Sequence, residues 1–345
     1  MKPIATRDLE HILSNTRQLW ERAGGKRIFL TGATGFFGAW LLESLAYCNR
    51  ELQLEIGATV LCRNPEAVAS RMSHLKGETS IRLIAGDISN FSFPNQDFEF
   101  VIHAAAPTSG AEAARPLDLL MTLLSGTART LEFAKTGNTE SFLFVSSGAV
   151  YGPQPENLSH IPENYRGGPD CLNPNAAYAE GKRVSEQMCS LYAHGSETRF
   201  SVARCFTFVG PHLPLNRHFA IGNFIGDALA GRNISIRGDG TPMRSYLYAA
   251  DLAIWLWTLL LSESELRAKP RVFNVGSGDA ISIRDLALTV IDELNPSLDV
   301  EIAAEPAAGP QQQYVPDVRE AGTRLGLRQT IGLREAIRRT ADWYS

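Results

Sequence analysis

The stretch Thr31-Gly32-Ala33-Thr34-Gly35-Phe36-Phe37-Gly38 follows directly on the apolar run Arg27-Ile28-Phe29-Leu30. Three glycines at this spacing, between a strand-like run and a helix-like one, leave few folds open. Gly32 permits a tight turn, Gly35 lets the backbone approach a ligand closely, and Gly38 lets the next helix pack on its strand. Backbone N–H groups at the start of that helix then face an anion at the positive end of the helix dipole. An isolated match of this kind is about as often a plain glycine-containing loop. The rest of the chain decides between the two. Short apolar strands at 27–30, 58–61, 81–85, 98–102, 142–146 and 200–204 alternate with helical patterns such as 39–47 and 66–75. That alternation requires a parallel sheet with helices on both faces.

The expected fold is therefore α/β: a doubly wound parallel sheet of the Rossmann type with a smaller C-terminal substrate-binding lobe. Residues 1–25 read as an N-terminal helical extension, with Leu9, Ile12, Leu13, Leu19 and Trp20 on one helical face and Gly24-Gly25 as the stop. Residues 26–206 form the dinucleotide-binding domain, with later strands contributed from about 244–278. Residues 207–243 and 279–345 form the second lobe, and substrate is expected in the crevice between the two. A net charge of −4 gives no general attraction to nucleic acid or anionic membranes. The apolar run 252–261 is too short to span a bilayer, and the start lacks an export signal. The five cysteines, Cys48, Cys62, Cys171, Cys189 and Cys205, include no C-x-x-C pair. This argues against a disulfide framework or a metal site and suits a reducing cytoplasm.

At the end of the second strand, where an NAD site usually holds the ribose with an Asp or Glu, the chain has Cys62-Arg63-Asn64. A carboxylate would repel a 2′-phosphate, whereas a guanidinium pairs with it, so NAD(P) is expected with NADP slightly favoured; the alternative is that Arg63 stacks on adenine or points to solvent. Asp87, after the third strand, is placed to meet the adenine amino group. His103 shapes the backbone beside the dinucleotide rather than titrating. Further along, Tyr178-Ala179-Glu180-Gly181-Lys182 sets a lysine one helical turn after a tyrosine. A free phenol has a pKa near ~10; a nearby ammonium together with the positive nicotinamide ring is expected to lower it until Tyr178 can exchange a proton with a sugar hydroxyl. Lys182 would also bind the nicotinamide ribose. The Ser146-Ser147 strand end supplies a hydroxyl to hold the reacting oxygen.

Together the motifs resemble those of the extended short-chain dehydrogenase/reductases, in the nucleotide-sugar epimerase, dehydratase and reductase group. The resemblance spans about residues 26–330 and rests on T-G-A-T-G-F-F-G, G-D-I, H-A-A-A, S-S-G-A-V-Y-G, Y-A-E-G-K and V-P-D. It implies Ser147, Tyr178 and Lys182 as catalytic residues. It implies a dinucleotide site of Gly32, Thr34, Gly35, Phe36, Phe37, Gly38, Arg63, Asp87, Ile88, Ala104 and Ala105, with Tyr178 and Lys182. Ser147, Asn223, Arg244 and Asp317 would contact the nucleotide sugar, and a homodimer is implied. The dehydratases of the group carry an Asp-Glu pair, and the decarboxylases a Glu, where this chain has Gly148-Ala149. The expected activity is thus hydride transfer at C4 of a nucleotide-activated hexose, as a 4-epimerase or 4-ketoreductase. The alternative is a lyase whose acid comes from elsewhere, with Glu163, Glu180 and His212 as candidates. A third reading, a non-catalytic redox sensor, would need none of Ser147, Tyr178 and Lys182.

Overall fold

A computed structural model describes residues 2–107, 115–217, 219–263, 270–305 and 312–345. These fall into two compact units. The first contains Met1–Gly152, Gly167–Cys205 and Ala253–Phe273. It begins with α1 (Thr6–Arg22), then β1 (Arg27–Thr31), α2 (Phe36–Leu52), β2 (Gly57–Cys62), α3 (Pro65–Arg71) and β3 (Ile81–Ala85). Next come β4 (Phe100–His103), α4 (Pro116–Thr136), β5 (Ser141–Ser147), α5 (Ala177–Ala193) and β6 (Arg199–Cys205).

The strands make one seven-stranded sheet in which β6, β5, β4, β1, β2 and β3 are successive neighbours; the strand Arg271–Val275 adds to the β6 edge. Pairing is parallel from β3 through to β6. Both faces of β4 and β5 are buried, which is why these strands read as unbroken apolar runs rather than alternating ones. Their side chains meet an aromatic core in which the Phe29 ring lies 4.5 Å from Phe133, 5.4 Å from Phe98 and 5.5 Å from Phe91. The N-terminal helix is part of this unit: Trp20 is fully buried and its ring sits 4.6 Å from that of Trp257. A cap fixes α3, where the Asn64 side chain accepts from Ala67 N and Pro65 fills the first turn.

Helix α4 carries the small run Ser125-Gly126-Thr127 where a broad apolar stripe would be expected. A Cβ on Gly126 would lie 2.9 Å from Ile88 Cγ1, and one on Gly181 of α5 would lie 2.7 Å from Leu123 Cδ1. These contacts hold α4 close to β3's following loop and α5 close to α4. Thr127 and Ser185 share a hydrogen bond of 2.9 Å between the two helices.

The second unit contains Pro153–Arg166, Phe206–Leu252 and Asn274–Ser345. Within it β7 (Phe208–Val209) pairs with Leu247–Tyr248, and α6 (Ala220–Leu229) follows β7. A three-stranded sheet has β8 (Met243–Arg244) at its centre, between Ile281–Ser282 and Gln313–Tyr314. The helix Leu333–Tyr344 closes the unit, with the Tyr344 hydroxyl donating to Leu213 O. Among the described residues no helix is long and apolar enough to cross a membrane.

Candidate active site

The glycine turn sits where β1 ends and α2 begins. Gly32 has φ +80°, and a Cβ there would stand 2.4 Å from the Ala104 carbonyl carbon at the end of β4. A Cβ on Gly38 would stand 2.2 Å from Ala33 Cα. Both glycines are therefore demanded by the protein's own packing. Gly35 is different: a Cβ there would have no neighbour closer than Gly32 O at 3.9 Å. The chain itself leaves a side chain room there, so the protein's own packing does not require this glycine. Helix α2 starts at Phe36 with no side-chain cap and no acidic residue in its first turn. Uncapped N–H groups beside an open glycine fit a dinucleotide pyrophosphate.

The turn is braced from β4. Thr31 Oγ1 accepts from Ala105 N at 3.3 Å and lies 2.9 Å from His103 Nδ1; His103 Nε2 lies 3.2 Å from Thr127 Oγ1. Burial, helped by the Lys182 charge, pulls His103 down to about 3, so it is a neutral ring holding two hydroxyls. At the end of β2, Cys62 Sγ donates to Ile84 O at 3.7 Å, while Arg63 is exposed. Asp87 is exposed as well, and its carboxylate accepts from Ser89 N at 2.9 Å. A second cation, which motif reading misses, stands at the turn: Arg71 of α3 donates from Nη1 to Thr34 O at 2.7 Å.

The reacting groups gather where β5 meets α5. Tyr178 is hydrogen-bonded to the Ser147 hydroxyl, which also accepts from Ala149 N at 3.2 Å. Lys182 is fully buried; its Nζ donates to Val145 O at 2.7 Å and lies 4.7 Å from the Phe144 ring centroid. Burial lowers Lys182 to about 8. Of the two charges expected to lower the Tyr178 pKa, the Lys182 ammonium does not do so by itself. Desolvation pushes the phenol up to about 12, with the Ser147 hydrogen bond offsetting only part of that rise. With its pKa up at about 12 Tyr178 carries its proton, while the Lys182 ammonium is engaged by a backbone carbonyl. A proton acceptor would form only once further positive charge reaches the phenol. Gly148 and Ala149 lie in the 3-10 turn Gly148–Tyr151, so this turn brings no carboxylate to Ser147.

Of the remaining sequence candidates, Arg244, Asn223, Asp317, Glu163 and His212 lie in the second unit, and Glu180 lies on α5 of the first. Arg244 is on β8, where its Nη1 donates to Met243 O at 2.8 Å and its strand neighbour is Tyr314. Asn223 is on α6. The Asp317 carboxylate is held by Arg319, whose Nε lies 3.0 Å from both of its oxygens, and this keeps Asp317 below the usual carboxylate range. Of the candidate replacement acids, Glu163 accepts from Asn274 N at 2.9 Å and Glu180 pairs with Arg183 at 3.7 Å. His212 is buried edge-on to Trp343 at 4.6 Å.

Residues 28–276 match the model of the NAD dependent epimerase/dehydratase family. The chain belongs to that family, and it is an NAD-dependent enzyme. UDP-glucuronic acid decarboxylase 1 of Xenopus tropicalis is 29% identical over 320 residues, covering 92% of this chain and 72% of that protein. UDP-glucuronic acid decarboxylase 5 of Arabidopsis thaliana is 28% identical, covering 90% of this chain and 87% of that one. Among solved structures, the UDP-N-acetylglucosamine 4-epimerase of Methanobrevibacter ruminantium superposes with a TM-score of 0.79 at 22% identity, over 93% of this chain and 98% of that one. The UDP-glucuronic acid 4-epimerase of Bacillus cereus, in complex with UDP-glucuronic acid and NAD, gives 0.74 at 23% identity, over 92% and 98%. At those identities the likeness shows the shared Rossmann-like fold.

Proposed function

We propose that this enzyme moves a hydride reversibly at C4 of a nucleotide-activated hexose and leaves the sugar's carbon skeleton and other substituents intact. The observation that carries the reading is the cluster of Ser147, Tyr178 and Lys182 followed directly by Gly148-Ala149. Bound in the glycine turn, the dinucleotide would supply the hydride acceptor and donor. Ser147 would hold the C4 oxygen, and Tyr178 would give or take its proton. Lys182 would bind the nicotinamide ribose. Gly32, Thr34, Gly35, Phe36, Phe37 and Gly38 would cradle the pyrophosphate, with Ala104 and Ala105 behind it and Asp87 and Ile88 toward the adenine. In the second unit Arg244 and Asn223 would hold the substrate's diphosphate, and Asp317, through its pair with Arg319, the nucleotide. Elimination and decarboxylation both need an additional group to manage a proton or charge near the leaving group, and glycine and alanine can do neither.

The curated relatives named above are decarboxylases, which supports a lyase as the second reading. Among the described residues, the proposed replacement acids each have another partner in the fold. Incubation with UDP-glucuronic acid and UDP-glucose separates the two readings by product.

Arg63 and Arg71 favour NADP over NAD. One guanidinium follows β2 and the other is anchored on the glycine turn, and a 2′-phosphate needs such cations. The paired substitution R63A/R71A should weaken NADPH binding about tenfold or more while changing NADH binding little, which corresponds to roughly 1.4 kcal/mol or more. Fluorescence titration of both dinucleotides checks this, and an equal loss for both would remove the 2′-phosphate contact. A homodimer is supported by apolar side chains left uncovered on α4 and α5: Leu117 is 69% exposed, Met121 55% and Leu191 65%. Sedimentation at the mass of two chains is expected, and a monomer at micromolar concentration would refute it.

A further inference from the structure

Three consecutive residues at the end of β5 each hold one side chain of α5. Val145 O accepts from Lys182 Nζ at 2.7 Å. The Ser146 hydroxyl donates to Glu186 Oε1 at 2.6 Å. The Ser147 hydroxyl is bonded to Tyr178. Residues 178, 182 and 186 are spaced by four, so they share one helix face. Two of the three links belong to the proton-transfer pair, and the third, Glu186, has no part in that chemistry.

Glu186 is gripped from behind by Arg204 of β6. Arg204 Nε lies 3.0 and 3.2 Å from the two carboxylate oxygens, and Nη2 lies 2.6 Å from Oε2. The side chains are 12% and 16% exposed, and the guanidinium stacks 4.7 Å from the Tyr151 ring centroid. A largely buried ion pair is weak evidence for stability, because apolar residues of like volume usually serve as well. Its place behind the reacting residues calls for another explanation. The groups whose charge acts on Lys182, or on which Lys182 acts, are Cys205 from β6, His103 from β4, and Cys189 and Glu186 from its own helix. Burial pushes both thiols up and Tyr178 up to about 12, and keeps His103 near 3. All four are neutral at neutral pH. Glu186 is the anion of the set.

We propose that Glu186 is a positioning residue, the anchor and counter-charge that fixes α5 against the end of β5 and holds Lys182 as an ammonium beside Tyr178. Arg204 limits this effect by sharing the same carboxylate. The proposal rests on Tyr178 and Lys182 being the proton-transfer pair, but its test needs no substrate, so the two can fail separately.

The chain has six lysines (Lys2, Lys26, Lys76, Lys135, Lys182 and Lys269), few enough to follow individually by NMR in protein carrying 13C at lysine Cε. Loss of one signal in K182R identifies Lys182. In the unsubstituted protein that signal should titrate near 8. In E186Q the midpoint should fall by about one pH unit or more, since a nearby opposite charge is removed. In R204Q, which releases the carboxylate from its competitor, the midpoint should rise. E186D should restore the original midpoint to within a few tenths. Melting curves identify any variant that does not fold, and either of the first two variants alone suffices. A midpoint that stays put or moves up in E186Q, or that stays put or moves down in R204Q, overturns the proposal; an ion pair that only braced the fold, too far from Lys182 to act on its charge, would leave both midpoints where they were.

Discussion

Replacing Tyr178 by phenylalanine should lower turnover by roughly a hundred- to ten-thousandfold, the range that a positioned general acid or base contributes. The ring stays and only the hydroxyl goes, so the fold and the dinucleotide site should be unaffected. Dinucleotide affinity within about threefold of the parent, alongside lost turnover, is the expected pattern. The pH dependence carries a sign as well. Lys182 is pulled down to about 8 by burial. Below that value it is an ammonium and supports negative charge on the Tyr178 oxygen; above it the support is withdrawn. Turnover should therefore fall as pH rises through about 8. Turnover in Y178F equal to that of the parent would take Tyr178 out of the mechanism.

Gly32 and Gly35 should differ in stability, though both lose dinucleotide, when the same methyl group is added. At Gly32 the methyl would meet the Ala104 carbonyl carbon at 2.4 Å and would sit on a backbone with φ +80°. Contacts that short force the backbone to shift, so G32A should cost several kcal/mol of stability, at least about 2 kcal/mol, and lose the dinucleotide with it. At Gly35 the nearest protein atom to the methyl is 3.9 Å away. G35A should melt within a few degrees of the parent, yet bind dinucleotide tenfold or more weakly, because the methyl occupies the approach to the pyrophosphate. Calorimetry and fluorescence titration on the two variants separate these effects. Unaltered affinity in G35A would mean that the open side of the turn does not face the ligand.

The sheet was legible because its inner strands β1, β2, β4 and β5 are almost wholly buried on both faces. Apolar runs near 27–30, 58–61, 81–85, 142–146 and 200–204 became β1, β2, β3, β5 and β6 with boundaries shifted by a residue or two. The first turn of α2 begins three residues earlier than its apolar pattern, at Phe36, because Gly38 packs on Ala33 and leaves no side chain to mark the face. Helix α4 escaped a pattern reading for a related reason: Gly126 and Thr127 sit at its tightest contacts, where size rather than hydrophobicity is selected. The desolvation of Tyr178 was not legible, because charge spacing shows in a sequence and the burial of a particular side chain does not. Arg71 was invisible, since its partner Thr34 lies 37 residues away. Glu186 could have been noticed, four residues beyond Lys182 on the same helix face.

Incubating the protein with UDP-glucuronic acid or UDP-glucose and a nicotinamide dinucleotide, with proton NMR of the sugar ring and capture of released carbon dioxide, tests the central claim most directly. The account predicts a change confined to C4, seen as the 4-epimer of the starting sugar, with every carbon retained. A UDP-pentose together with carbon dioxide would contradict it, and would mean that an acid other than one at Gly148 or Ala149 completes a decarboxylase site.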